Sequence, residues 1–199
     1  PAIKLEPECF HIVHSGRFAL SDATCSIAPL VEALISLMGR RPELACNIRL
    51  HLLGELSRGE KRMLRPLLRR GVARLHGTVD RLRALAFQRR AELLLLVTSP
   101  LRSSVATTKI FEYLQARRPV LALTAGTFAA EIIAKTRCGW TVSPQAAGQI
   151  LATIEKLTSD KELDRKLDLS PAAVEKYSIA ASMQRLSEVL HSLSQADDG

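Results

Sequence analysis

The sequence predicts an α/β domain of three layers, a parallel sheet of about six strands held between helices, followed by C-terminal helices. Three observations carry that expectation. Short apolar runs alternate with stretches of helical spacing from Phe10 to Val142, the order that right-handed βαβ crossovers produce. One of those runs, AELLLLV from Ala91 to Val97, is apolar almost without interruption, as a strand covered on both faces must be. Beyond Pro144 apolar residues recur only at helical spacing, so the strands stop there.

FHIVHS, Phe10 to Ser15, is the first strand, and a loop through Gly16 leads to a helix over Ile27 to Met38, where Leu30, Leu34, Leu37 and Met38 share a face. Asn47 to Gly54 is the second strand. The basic helix after it should be interrupted or ended at Pro66, which lacks an N–H and crowds the preceding turn. A third strand runs from Val72 to His76 and closes at Gly77. Asp80 is placed to cap a helix reaching about Arg90, because its carboxylate can accept from the unpaired first-turn N–H groups. Ala91 to Val97 is the fourth strand, and a polar loop from Thr98 to Ala106 follows. A helix then opens at Thr107, Thr108 and Lys109, and Val120 to Leu123 is the fifth strand. Gly126 starts the turn into a helix ending near Lys135, and Gly139 to Val142 is the sixth strand. The Rossmann-like core thus spans about 10–144 and the closing helices about 145–194, one around Ile150 to Leu157, a short one with Leu163 and Leu167, and a last one from about Ser178 to Leu193.

A chain of 199 residues, 47% of them hydrophobic, can bury one substantial core, and a second full domain is not expected. No apolar run approaches the ~20 residues of a membrane span, so the chain reads as soluble. Cys9, Cys25, Cys46 and Cys138 are scattered without metal-ligand spacing, so buried free thiols in a reducing cytoplasm are expected, with no disulfide and no metal. The net charge of +8 resides between Arg58 and Arg90, where eleven basic residues face two acidic ones. A field of that sign suits an acidic membrane surface, a nucleic acid or a partner domain. Nucleic acid is the weakest of these, because Phe87 is the segment's sole aromatic and a single-strand platform needs several.

Ligands bind at the carboxyl ends of parallel strands, and the loops predicted there carry the candidate site. Gly16 lets backbone approach a phosphate, and Arg17 offers it a planar fork of donors. Thr78 and Val79 follow Gly77, where exposed backbone suits a flat nucleobase. Thr107, Thr108 and Lys109 supply hydroxyl, N–H and ammonium donors at a helix start, whose dipole favours an anion. Glu112, one turn further, suits sugar hydroxyls. Four histidines on predicted strands, His11, His14, His51 and His76, have no evident Ser, Cys or Asp partner, so no catalytic triad is supported. Tyr113 is read as a packing residue.

The strand, Gly-Arg, LLLLV, TKIFEYL, RPVLA series, with Gly126 and Glu131 before Gly139, resembles the nucleotide-sugar-binding C-terminal half of retaining GT-B glycosyltransferases of group 1. The resemblance implies that Glu112 holds the donor ribose and that Arg17 and Gly16 meet the diphosphate. Backbone around Thr108 would also meet the diphosphate, and Thr78 and Val79 would border the base; Gly126 and Glu131 take the family's next glycine and acidic positions. Ser104 stands where the family's first motif glutamate is expected, and Asp22 where a basic residue is expected. Lys109 then serves as the second phosphate cation beside Arg17.

The resemblance also implies a nucleoside diphosphate sugar as donor substrate, no cofactor, and electrostatic stabilisation of the leaving diphosphate by Arg17 and Lys109. It implies that residues 1–199 are one donor-binding domain whose N-terminal acceptor-binding domain lies elsewhere in the full-length protein. A start at Pro1, just before the first strand, fits an excised domain, inactive alone. Cytoplasmic location, with peripheral contact at the inner face of a membrane, is the corresponding expectation. The alternatives are a nucleotide-sugar epimerase of similar architecture and a non-catalytic basic module for nucleic acid or acidic membrane.

Overall fold

A computed structural model describes residues 3–18, 26–98, 108–124 and 126–160, with isolated positions beyond them. In chain order the elements are β1 (Phe10–Ser15), α1 (Ala28–Arg40), α2 (Pro42–Ala45), β2 (Ile48–Leu53), α3 (Arg58–Met63), α4 (Arg65–Arg69), β3 (Ala73–Gly77), α5 (Arg81–Arg90), β4 (Leu93–Val97), α6 (Thr108–Ala116), β5 (Val120–Leu123), α7 (Phe128–Thr136), β6 (Gly139–Val142) and α8 (Ala147–Ser159). The six strands form one sheet in the order β3-β2-β1-β4-β5-β6, every neighbouring pair parallel.

Alternation along the strands builds two apolar layers. Ile12, Leu93, Leu95, Val97, Leu121 and Leu123 face the core shared with α1, α4 and α8. Val13, Leu94, Leu96, Val120 and Ala122 face the opposite core, shared with α5, α6 and α7. All five residues of β4 are buried, as its continuous apolar run requires, and each contributes about 1.5–3 kcal/mol of transfer free energy.

The helix boundaries follow local chemistry. Ser57 and Glu60 form a reciprocal capping box at α3. The basic helix breaks at Leu64, and Pro66 sits in the first turn of α4, where its missing N–H costs nothing. Asp80 Oδ1 accepts from the Arg83 N–H at 2.8 Å, so the expected cap at α5 is present. Thr127 caps α7 one residue after Gly126. Helix α2 was not expected, since four residues beginning at Pro42 are too few to display a period.

Cys9 and Cys138 are buried free thiols, but Cys46 is exposed, which corrects the expectation that the thiols are buried; it ends α2, the element the sequence did not reveal. Cys25 and most of the two helices expected after α8 lie outside the described residues. Among the described residues no helix is long and apolar enough to cross a membrane.

One polar seam crosses the second core. His11 Nδ1 and His51 Nε2 are 2.9 Å apart, His51 Nδ1 and His76 Nε2 are again 2.9 Å apart, and His11 Nε2 meets the Glu6 carbonyl at 2.8 Å. The carbonyl can only accept, so His11 carries its proton on Nε2. Each following ring must then donate from Nε2 to the ring before it. In the neutral form the three imidazoles share one tautomer and tie β1, β2 and β3 together, and Phe87 packs against the last two.

Candidate functional site

The sheet changes direction between β1 and β4, the place where open parallel sheets receive ligands. Strand pairing there stops early. β1 stays paired with β2 as far as Ser15 and Leu53, but with β4 only through Ile12–Leu93 and Val13–Leu94. The strand ends beyond are bridged by Tyr113 of α6, whose hydroxyl donates to the Leu95 carbonyl and accepts from the Ser15 N–H, both at 3.2 Å. Gln88 donates to Ser15 Oγ at 2.9 Å and steadies the same corner. Burial pushes the Tyr113 phenol up, so it remains a donor.

Tyr113 fixes the rotation of α6, and Lys109, four residues earlier on the same helix face, is carried over the end of β1. Lys109 Nζ donates to the Arg17 carbonyl at 3.2 Å. A Cβ at Gly16 would lie 2.7 Å from Lys109 Cε, so a side chain here would push the lysine end aside. Gly16 has φ +100°, outside ordinary L-residue space. Its N–H bonds the Leu53 carbonyl at 2.6 Å, and the Gly54 N–H bonds the Gly77 carbonyl at 2.7 Å. Gly54 packs in turn against the Gly16 peptide, where a Cβ would stand 2.6 Å from its oxygen. The ends of β1, β2 and β3 therefore present a ledge of bare backbone beneath one ammonium group.

Arg17 reaches across this ledge to an ion pair with Glu55, the residue after Gly54. Both side chains are more than half exposed, at 51% and 63%, so the pair is worth at most about 1 kcal/mol and is easily surrendered to a better anion. Glu112 is half-buried one turn into α6, and Thr108 is the first residue of that helix. Thr107, Ser104 and Asp22 lie outside the described residues.

The remaining predicted residues flank this centre. Thr78, exposed, and Val79, half-buried, follow β3, two strands to one side. Gly126, with φ +61°, and Glu131 follow β5, two strands to the other side. Four strand spacings make that edge about 20 Å long. Glu131 is exposed and paired with Lys135 at 3.3 Å. Gly16, Arg17 and Lys109 are the predicted residues in mutual contact.

Sequence reasoning missed four features of this edge. Glu55 is one, and its signal is the repeated strand-then-glycine ending that makes Gly16 and Gly54 neighbours. The Tyr113 bridge is another, since its packing role is real but incomplete. A buried relay, Thr98 to Thr124 to Thr127, joins the ends of β4, β5 and the start of α7 at 2.6 Å per step. The fourth is His14, buried under Gly16, stacked on Phe18 with ring centroids 4.0 Å apart, and donating from Nδ1 to the Leu95 carbonyl at 3.0 Å. Burial foremost, and the charge of Lys109 after it, push His14 down to about 3.

Residues 10–160 match the profile of a protein family described as Glycosyl transferases group 1. Comparison with curated proteins gives no match. Among solved structures, the chain is similar to WaaG, a glycosyltransferase involved in lipopolysaccharide biosynthesis, at 21% identity and a TM-score of 0.67, covering 86% of this chain and 43% of WaaG. It is similar to the C-terminal domain of LpcC, a glycosyl transferase group 1 family protein from Francisella tularensis, at 20% identity and a TM-score of 0.65, covering 85% and 87% of the two chains. A third likeness is to Alr3699/HepE of Anabaena, solved in complex with UDP-glucose, at 17% identity and a TM-score of 0.67, covering 92% of this chain and 49% of that one. The chain spans less than half the length of WaaG and about half that of HepE, and most of the excised LpcC domain.

Proposed function

From the premise that the chain belongs to the group 1 glycosyl transferases, we propose that it forms the donor-binding half of an enzyme that transfers a sugar from a nucleoside diphosphate sugar to an acceptor. One observation carries the reading. At the point where β1 and β4 part, the Lys109 ammonium and the first turn of α6 lie beside the Gly16–Arg17 backbone, so a cation and the donors and dipole of a helix start come together at a glycine loop. That is chemistry for a diphosphate.

In the proposed complex Gly16 lets backbone approach the phosphates, Thr107 and Thr108 offer backbone and hydroxyl donors to them, and Glu112 accepts from the ribose hydroxyls. Thr78 and Val79 border the base, while Gly126 and Glu131 lie at the sugar end. An edge of about 20 Å suits an extended ligand. As the glycosidic bond breaks, negative charge grows on the departing diphosphate. Lys109, and Arg17 once released from Glu55, meet that charge where it develops and lower the barrier electrostatically. The nucleotide sugar is the substrate, and the proposal includes no cofactor.

Acceptor binding and completion of the active cleft are assigned to an N-terminal domain of the full-length protein, so this chain alone is expected to bind donor without turnover. The exposed residues Arg58, Lys61, Arg62, Arg65 and Arg69 on α3 and α4, with Arg70 just after α4, suit peripheral contact with an anionic membrane at the cytoplasmic face. The donor reading is tested by titrating the chain with UDP-, GDP-, ADP- and dTDP-glucose. Saturable binding by one of them, weakened at least tenfold in both Lys109→Ala and Glu112→Ala, is the expected result. Binding by none, with DNA bound only in a steeply salt-dependent way, would overturn it.

A further inference from the structure

Arg17 and Glu55 each follow a glycine, and the two glycines touch. The parallel register of β1 and β2 ends at Ser15–Leu53, and the same offset carried two residues further sets Arg17 opposite Glu55. Backbone holds the two loops in that relation. The Gly16 N–H donates to the Leu53 carbonyl at 2.6 Å, and a Cβ on Gly54 would stand 2.6 Å from the Gly16 carbonyl oxygen. Strand register thus places the opposite charges face to face, and the pair closes between Arg17 Nη2 and Glu55 Oε2.

The donor reading sets a diphosphate on the same guanidinium. An anion brought there stands beside the Glu55 carboxylate, and like charges at short range repel, so the pair gives way as the ligand enters. The cost is the stability of the pair itself. For side chains more than half exposed it is equivalent to at most about fivefold in affinity. It falls on every ligand that takes Arg17, the donor and the nucleoside diphosphate left after transfer alike. Transfer breaks the bond between sugar carbon and diphosphate oxygen, leaves the electron pair on that oxygen and frees the acceptor's hydroxyl proton. The product therefore carries one more negative charge than the donor until a proton joins it, and Arg17 holds it at least as firmly. A carboxylate waiting beside Arg17 offsets that hold, and weakening donor and product equally takes nothing from the chemical step.

We propose that Glu55 is a positioning residue that competes with the diphosphate for Arg17, weakening donor and product together and so easing release of the nucleoside diphosphate. The inference rests on the donor reading above and gives that site its own counter-ion. Arg17 turns from Glu55 to the phosphates on binding and returns to Glu55 when the product leaves. Removing the carboxylate while keeping the shape of the side chain should therefore tighten binding, the opposite of what the loss of a supporting residue does.

The test is calorimetric titration of the whole chain, of Glu55→Gln, of Arg17→Ala and of the double variant, with UDP, GDP, ADP and dTDP and with the glucose conjugate of each. Glu55→Gln should bind the recognised nucleoside diphosphate and its glucose conjugate about two- to fivefold more tightly than the wild type. Arg17→Ala should bind both more weakly. In the Arg17→Ala background the same change at Glu55 should give a smaller gain, since no guanidinium remains to be freed. Both side chains are more than half exposed, so the variants should melt in urea as the wild type does. Affinity that is unchanged or weakened in Glu55→Gln overturns the inference, because Glu55 would then be inert or a support for Arg17. An equal gain in both backgrounds overturns it too, since that is plain repulsion between a carboxylate and an anion. Either result leaves the donor reading standing. Binding of none of these ligands by the wild type removes both.

Discussion

A methyl group at position 54 would stand 2.6 Å from the Gly16 carbonyl oxygen, which belongs to backbone and cannot swing aside. Gly54→Ala should therefore displace the Gly16 loop, costing about 1–3 kcal/mol in a denaturant melt and, on the proposed function, weakening nucleotide-sugar binding more than tenfold. Tyr113→Phe removes one hydroxyl and leaves the Ser15 N–H and the Leu95 carbonyl without their shared partner. A loss of about 1–3 kcal/mol is expected by the same measurement, with weaker donor binding because Lys109 is no longer held in rotation. Arg117 has φ +52° at the end of α6, where glycine fits without strain, so Arg117→Gly should raise stability by about 0.5–1 kcal/mol. The sequence displayed Gly16, Arg17 and Lys109 because each carries its chemistry in its own type. It hid Glu55 and the Tyr113 bridge, since both depend on which strand ends become neighbours.

Among the elements, the histidine seam makes β1, β2 and β3 sensitive to acid. His51 is pushed down to about 3, first by burial and then by its two histidine neighbours, and His76 is lowered chiefly by burial, both from an ordinary value near 6.5. A base whose proton affinity is lower when folded stabilises the fold while it is neutral. That contribution is whole above the unfolded value and is lost as pH falls from about 6.5 towards the folded values. Unfolding free energies from urea melts should therefore decline from pH 7 to 5, by up to about 1.4 kcal/mol per pH unit for each histidine released. Replacing His51 by leucine should flatten that decline if the seam causes it; an unchanged slope would place the cause elsewhere. The strands were legible because their apolar runs are continuous, and Phe10–Ser15, Val120–Leu123 and Gly139–Val142 fall where the sequence puts them. That the histidines bond one another was not legible, because a strand carrying one histidine says nothing about its neighbour. Helix α2 escaped for want of length.

For the molecule as a whole, parallel strands joined by helical crossovers were expected from the sequence, but the strand order was not, because alternation of elements is the same for every order of a doubly wound sheet. The order decides where the crevice opens and hence which loops collaborate. It also divides the sheet unequally. The halves β3-β2-β1 and β4-β5-β6 meet through two paired positions, against six between β1 and β2 and four between β4 and β5. Backbone amides at that junction should exchange with deuterium before those inside either half, and a bound nucleotide sugar should slow them most. Mechanically the domain is two small three-stranded plates tacked along a short seam, with the proposed donor site across the join. Pulled from opposite edges it should tear there first, and the load it bears should rise when the crevice is filled.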